Sequence, residues 1–307
     1  MPAPAYAFGA VRPKRWAVAL ALILGVVGVV HAGDPSGAVR ADPTACTGAR
    51  LLPTGTTAHA MQHDGQVRSY LLHVPPGYDA TQRTSVVAMF HGLGGTPAKI
   101  LAASGMNSLA DREGFIVVAP LARGAISQWD FRTPPGDVRS DAHFTRALVA
   151  EVRSRGCIDG SRIYAAGFSN GSALVLALAC DAESPFAAYG AVSGPYMAPD
   201  CARAKPASIA YFHGMRDKRV PYEGAETVIG PMPSVDDTVA QWVAHDRCPA
   251  VGATTTAIGA LRHLSWRGCA DGSAISVHVL RDEGHRWPGS QIDASSVMWE
   301  FFQSVEG

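Results

Sequence analysis

Gly167-Phe168-Ser169-Asn170-Gly171 sets a serine between two glycines in the pattern G-x-S-x-G. In this turn a strand bends sharply into a helix and holds a hydroxyl clear of the backbone. Glycine is needed on either side because a side chain there would collide with the neighbouring strand and helix. The flanks supply the context that the pattern requires: Arg162 to Ala166 reads as a strand leading in, and Ser172 to Leu178 as a helix leading out. A serine hydroxyl is a poor nucleophile near neutral pH, so it needs a base within hydrogen-bond reach and a third group to orient that base.

Eleven histidines compete for the role of base. His31 lies in the leader described below, His59 and His63 in an irregular arm, and His73 and His278 in strand patterns that suit structural histidines. His285 follows the final strand in Asp282-Glu283-Gly284-His285-Arg286-Trp287-Pro288-Gly289, a loop whose glycines and proline suit a side chain presented at a sheet edge. It is the expected base, with His263 and His245 as alternatives. The orienting carboxylate is expected at a strand end between serine and histidine in chain order, where Asp217 follows Ile209-Ala210-Tyr211-Phe212 and His213-Gly214-Met215-Arg216. A surface ion pair with Lys218 or Arg219 is the competing reading, and Asp271 and Asp236 are the reserves.

Attack on a carbonyl also needs donors aimed at the oxyanion that forms. The loop His91-Gly92-Leu93-Gly94-Gly95-Thr96 follows a strand, and its glycines let amides face inward. The expected donors are the backbone N–H groups of Leu93 and of Asn170, while His91 reads as structural. A phosphate-cradling role fails because no Gly-Lys-Ser/Thr follows. Trp129 and Trp287 are candidate walls for an acyl or aromatic group.

These residues must be positioned by a large fold. The chain has 307 residues, 47% of them apolar and 17% charged, with 26 basic and 26 acidic side chains. It can bury a sizeable core, and its balanced charge leaves no electrostatic footprint for nucleic acid. Apolar runs of strand length recur at Tyr70–Val74, Val86–Phe90, Phe115–Ala119, Ile163–Ala166, Tyr189–Val192, Ile209–Phe212 and Ile275–Leu280. Helical patterns at Asp141–Arg155, Ser172–Cys180, Val235–Ala244 and Ser295–Phe302 stand between or after them. The alternation predicts an α/β fold in one domain, a mostly parallel sheet covered by helices on both faces.

Residues 1–32 read as a signal peptide: Arg12, Lys14 and Arg15 precede an unbroken apolar stretch of 14 residues, Ala17 to Val30. A retained membrane anchor is the alternative, less favoured because the stretch is shorter than a full span. Residues 33–60 read as an irregular N-terminal arm and 61–307 as the catalytic domain. Six cysteines, Cys46, Cys157, Cys180, Cys201, Cys248 and Cys269, follow the leader, and an exported chain meets an oxidising compartment. Three disulfides are expected in preference to a metal site, since no zinc-type spacing occurs. Six cysteines allow 15 pairings. Cys180–Cys201 and Cys248–Cys269 each close a compact local segment, which would leave Cys46 with Cys157.

Taken together the chain resembles the secreted short-chain polyhydroxybutyrate depolymerases and the related bacterial feruloyl and acetylxylan esterases, a family of α/β-hydrolases. Arg68 to Pro75 is similar to that family's opening strand, Phe90-His91-Gly92 with Gly94-Gly95 to its oxyanion loop, and Gly167 to Gly171 to its serine elbow. His213-Gly214 with Asp217 and Val220-Pro221-Tyr222 resembles its acid segment, and Gly284-His285 with Trp287-Pro288-Gly289 its base segment. Three departures bear on pocket shape: Ser172 stands where glycine is usual, Met215-Arg216 replaces small residues, and Arg286 takes a position often held by threonine. The resemblance implies a secreted, monomeric serine esterase without metal or organic cofactor. Its substrates would be small or oligomeric hydroxyalkanoate, feruloyl or acetyl esters, and it would keep no stable membrane partner after signal cleavage. A catalytically silent binding protein and an acyltransferase are the other readings.

Overall fold

Strands that are apolar on both faces can be satisfied only inside a sheet that is covered twice, and that is where this chain puts them. The computed structural model describes residues 46, 51–196, 201–227, 230–250 and 254–305. The expected signal peptide lies outside the described residues. In chain order the strands are β1 (Gly55–His63), β2 (Gln66–Val74), β3 (Thr84–Phe90), β4 (Ile116–Pro120), β5 (Ile158–Phe168), β6 (Ala188–Val192), β7 (Ser208–Gly214), β8 (Ala225–Thr227), β9 (Gly230–Met232), β10 (Thr254–Ile258), β11 (Leu261–Trp266) and β12 (Ile275–Leu280). The helices are α1 (Pro97–Ser104), α2 (Met106–Glu113), α3 (Asp141–Arg155), α4 (Asn170–Ala179), α5 (Val235–His245) and α6 (Ala294–Ser304).

Among the described residues, ten strands form one sheet in the order β1-β2-β4-β3-β5-β6-β7-β12-β11-β10. The run from β4 to β12 is parallel, and antiparallel pairs close both edges. The core alternates across it. Ile163 and Ala165 of β5 face the layer that holds Phe144, Leu148, Leu174 and Leu178 of α3 and α4. Tyr164 and Ala166 face the layer that holds Met298, Trp299 and Phe302 of α6. There the Trp299 ring stacks on Phe115 with centroids 4.1 Å apart, and Phe302 stacks on Tyr164 at 4.6 Å. From β3 the chain moves to one side to form β4 and then returns to the other to form β5. The gap between the carboxyl ends of β3 and β5 is therefore a topological switch point, the place where open parallel sheets form ligand crevices.

The disulfides are Cys46–Cys157, Cys180–Cys201 and Cys248–Cys269, spanning 111, 21 and 21 residues. One difference from the sequence reading lies at the start: Gly55–His63 is an edge strand, not irregular chain as far as residue 60. It alternates half-buried and exposed positions throughout. Three of its inward residues, Thr57, His59 and His63, are polar, so a hydrophobic period is absent even though the structural period is two. No described helix is long and apolar enough to cross a membrane.

Two histidines sit among the polar residues of the far edge. His278 of β12 is 6% exposed, stacks between Phe212 and His263, and leaves its Nδ1 without a partner. Burial, followed by the neighbouring His263, pushes its pKa down to about 3. The folded chain thus keeps His278 neutral where the unfolded chain protonates it, near pH 6.5. Its contribution to stability is complete above that pH and is lost as pH falls from about 6.5 to about 3, at up to about 1.4 kcal/mol per pH unit. His278→Leu is expected to flatten this slope relative to wild type, measured as urea midpoints between neutral and acid pH. Parallel pH curves for the two proteins would refute the assignment.

Candidate active site

The elbow is built by close backbone approach. Ser169 stands between β5 and α4 with φ 55° and ψ −118°, a conformation that L-residues adopt only when their surroundings impose it. The anchor is its own N–H, which donates to the Val192 carbonyl at the end of β6 over 2.8 Å. A Cβ on Gly167 would lie 2.3 Å from the Gly171 carbonyl oxygen, and one on Gly171 would lie 2.3 Å from that of Phe90. Both positions therefore require glycine, and the second lets α4 start directly against the end of β3.

His285 and Asp217 come from the loops after β12 and β7, neighbouring parallel strands. His285 Nε2 lies 3.0 Å from Ser169 Oγ, and its Nδ1 lies 2.7 Å from Asp217 Oδ2. The Phe168 ring packs on the imidazole with centroids 4.8 Å apart. The Asp217 side chain is fully buried, and its other oxygen, Oδ1, accepts the backbone N–H groups of Arg219 and Val220, each at 2.8 Å. Burial alone would raise its pKa; the His285 hydrogen bond and those two amides outweigh it and hold the carboxyl below its ordinary value. Asp217 is therefore ionised, so His285 carries its proton on Nδ1 and presents a lone pair on Nε2 to the serine hydroxyl.

The loop that carries the Leu93 amide comes close to the elbow, where a Cβ on Gly92 would lie 3.3 Å from Ser169 Cβ, and Asn170 follows Ser169 directly. Among the described residues neither the Leu93 nor the Asn170 N–H has an acceptor, whereas Gly94 N–H donates to the Ile126 carbonyl at 3.0 Å and Gly95 N–H to that of Gly92 at 2.9 Å. The Leu93 loop is thus folded on itself and on residues 126–127 while its own amide stays open. His91 fixes the loop from below: its Nδ1–H donates to the Gly92 carbonyl at 2.7 Å, and its Nε2 accepts the Ala122 N–H at 3.1 Å. Both partners demand a neutral imidazole, and burial lowers its pKa in agreement.

The two tryptophans expected to wall the pocket are largely buried. Trp129 is 1% exposed and donates its indole N–H to the His91 carbonyl, and Trp287 is 7% exposed and donates to Ser295 Oγ. With their donors engaged, both rings brace the loops beside the elbow and the base, and Trp129 is also among the residues that line the cavity described below. The alternative base His245 is held by Asp246 and the Cys201 carbonyl, and His263 by Ser276. Of the reserve acids, Asp236 bonds Tyr222, and Asp271 sits in a 3₁₀ turn after Cys269. The structure brings none of these four to Ser169.

Other contacts are invisible in the motifs. The Asn170 side chain clamps the main chain of Trp129, accepting its N–H at 2.7 Å and donating to its carbonyl at 3.2 Å. Asp141, fully buried, pairs with Arg68 at 3.0 Å and accepts the Asp130 N–H at 2.8 Å, which anchors the same loop from its far side. Phe131 meets Tyr196 edge to face, with centroids 4.8 Å apart. A cavity of about 360 Å³ opens on this loop between Arg123, Ile126, Gln128, Trp129, Phe131 and Arg132. Ser172, the departure from the usual glycine, is buried and donates to the Gly194 carbonyl at 2.9 Å, so its hydroxyl is engaged behind the elbow. The adjacent G-x-S-x-G gives no hint of these partners; only the polar residue types of Asn170 and Asp141 could have suggested them.

Comparison with known proteins gives a consistent picture. The sequence pattern of the family described as Esterase PHB depolymerase matches residues 68–228, just over half of the chain. A Nocardia uniformis subsp. tsuyamanensis protein named "Putative esterase NocK" is 30% identical over 187 residues, 59% of this chain and 54% of its own length. Feruloyl esterase C of Emericella nidulans is 24% identical over 78% of this chain and 84% of its own. The chain thus spans about half of the first relative and most of the second. Among solved structures, an acetyl xylan esterase from Aspergillus awamori superposes with a TM-score of 0.62 at 15% identity, covering 80% of this chain and 99% of that one. At that identity the likeness speaks for the fold.

Proposed function

The chain belongs to the Esterase PHB depolymerase family, and from that premise we propose that it hydrolyses carboxylic esters through Ser169. The observation that carries this reading is the unbroken sequence of contacts from Asp217 through His285 to Ser169 Oγ, together with two amides that have no acceptor among the described residues. Ser169 Oγ attacks the ester carbonyl while His285 Nε2 takes its proton. The carbonyl oxygen becomes an oxyanion against the Leu93 and Asn170 N–H groups. His285 returns the proton to the departing alcohol, leaving an acyl group on Ser169. Water then attacks with His285 again as base, and the carboxylic acid leaves as Ser169 regains its hydrogen. Throughout, Asp217 holds Nδ1–H and stabilises the imidazolium.

The substrate class is a short ester, either a hydroxyalkanoate oligomer or a feruloyl or acetyl ester of a polysaccharide. The exposed side chains of Leu93 and Ile126, 58% and 62% accessible, support an apolar rim beside the open amides. Export as a secreted protein is supported by the three disulfides, which persist in oxidising compartments. The catalytic domain then begins with the edge strand β1.

A fluorophosphonate probe followed by peptide mass spectrometry tests the nucleophile: a single adduct is expected on Ser169. Rates on methyl ferulate, acetylated xylan and 3-hydroxybutyrate oligomers, compared as kcat/KM, then rank the substrate classes. An adduct elsewhere, or no turnover of any ester, would remove the proposal.

A further inference from the structure

Behind the three residues already described stands a second tier on β7. His213 is wholly buried, four residues before Asp217. Its Nε2 faces the Val220 carbonyl at 2.9 Å, and a carbonyl only accepts, so that nitrogen carries the proton. Nδ1 is then a lone pair, and the Tyr211 hydroxyl, 2.9 Å away, donates to it. The Tyr211 oxygen in turn lies against the amide of Gly194. Gly194 packs on the main chain of Ser169, where a Cβ would come within 2.2 Å of the Ser169 carbonyl oxygen.

At the other end, the Val220 whose carbonyl takes the His213 proton is the same residue whose N–H holds Asp217 Oδ1 at 2.8 Å. His213 Nε2 is also 3.6 Å from Asp217 Oδ2, the oxygen that receives His285. Every donor in this series has a fixed direction, so the turn that carries the acid is tied to the strand behind it through one imidazole tautomer.

We propose that His213 is a positioning residue: as a neutral Nε2–H imidazole whose tautomer is set by Tyr211, it fixes the 217–220 turn so that Asp217 Oδ2 meets His285 Nδ1. Burial lowers the His213 pKa, which keeps the ring in that neutral form. The inference rests on the reading of Ser169 as nucleophile and adds residues to it. A histidine that merely fills space would be replaceable by an apolar side chain of similar bulk. One that positions the acid would need its donor.

Three variants of the full chain separate the two cases: His213→Leu, His213→Gln and Tyr211→Phe. His213→Leu is expected to lower kcat for p-nitrophenyl butyrate by about 10- to 100-fold with little change in KM, the scale of a displacement of about 1 Å at a reacting centre. It should also abolish or shift the far-downfield proton NMR signal of the His285 Nδ1–H bonded to Asp217. His213→Gln keeps an N–H for the Val220 carbonyl and should restore the signal and most of the rate. Tyr211→Phe preserves the packing and removes one hydrogen bond, which predicts a loss of about 3- to 10-fold in kcat. An unchanged downfield signal in His213→Leu or Tyr211→Phe overturns the proposal, as does a Gln variant as impaired as the Leu variant. Should His213→Leu fail to fold, Tyr211→Phe and His213→Gln decide. The signal is recorded without substrate, so its behaviour is independent of whether Ser169 proves to be the nucleophile.

Discussion

Ser169→Ala is expected to lower kcat for p-nitrophenyl butyrate by about 10⁴- to 10⁶-fold, the scale on which removing a serine nucleophile leaves only binding and oxyanion stabilisation. The Ser169 Oγ bonds only His285 among the described residues, and the N–H that anchors the elbow on Val192 belongs to the main chain. The variant should therefore fold with a Tm close to wild type, and the loss should appear in kcat with KM nearly intact. The neighbouring Ser172 cannot substitute, since it is buried with its Oγ committed to the Gly194 carbonyl. Steady-state kinetics on both proteins, beside thermal melts, checks this. Retention of more than about one hundredth of the wild-type rate would exclude Ser169 as nucleophile.

Asp217→Asn is expected to produce the second large loss, about 10⁴-fold in kcat, by reversing a tautomer. The two amides at 2.8 Å from Oδ1 demand an acceptor, so the new amide must point its oxygen at Arg219 and Val220. Its NH₂ group then faces His285 Nδ1, 2.7 Å away, and donates to it. The imidazole is forced to carry its proton on Nε2, where it can no longer accept one from Ser169. The shape of the site is preserved, so the circular dichroism spectrum should match wild type while the rate collapses. Activity within about tenfold of wild type would show that the carboxylate does not orient the base.

Much of this arrangement is visible in the residue types. β3, β6, β7, β12 and the Ile163–Gly167 part of β5 are buried on both faces, so they appear as largely apolar runs whichever way their side chains point. The elbow glycines are legible because main-chain crowding admits nothing larger. What escapes has physical reasons. α1 and α2 are eight residues each, ended by left-handed Gly105 and Gly114, too short to display a 3.6-residue period. β11 is mostly half-buried along its length and shows no clean alternation. Trp129 and Trp287 could belong equally to a wall or to a core. What decides is where the indole N–H finds its acceptor, which is the His91 carbonyl for Trp129, distant in the chain, and the Ser295 hydroxyl for Trp287. His213 stands in plain view four residues before Asp217, yet its protonation follows only from the carbonyl opposite it.

Because the donors proposed beside Ser169 are main-chain groups, any replacement of the Leu93 side chain other than proline leaves its N–H in place. That side chain is largely exposed, and the amide it shares a residue with is held in place by Gly94 and Gly95. The chemistry and the taste for a given ester are thus written in separable atoms. A library varied at residues 93 and 126 with proline left out is expected to change substrate preference while turnover is kept.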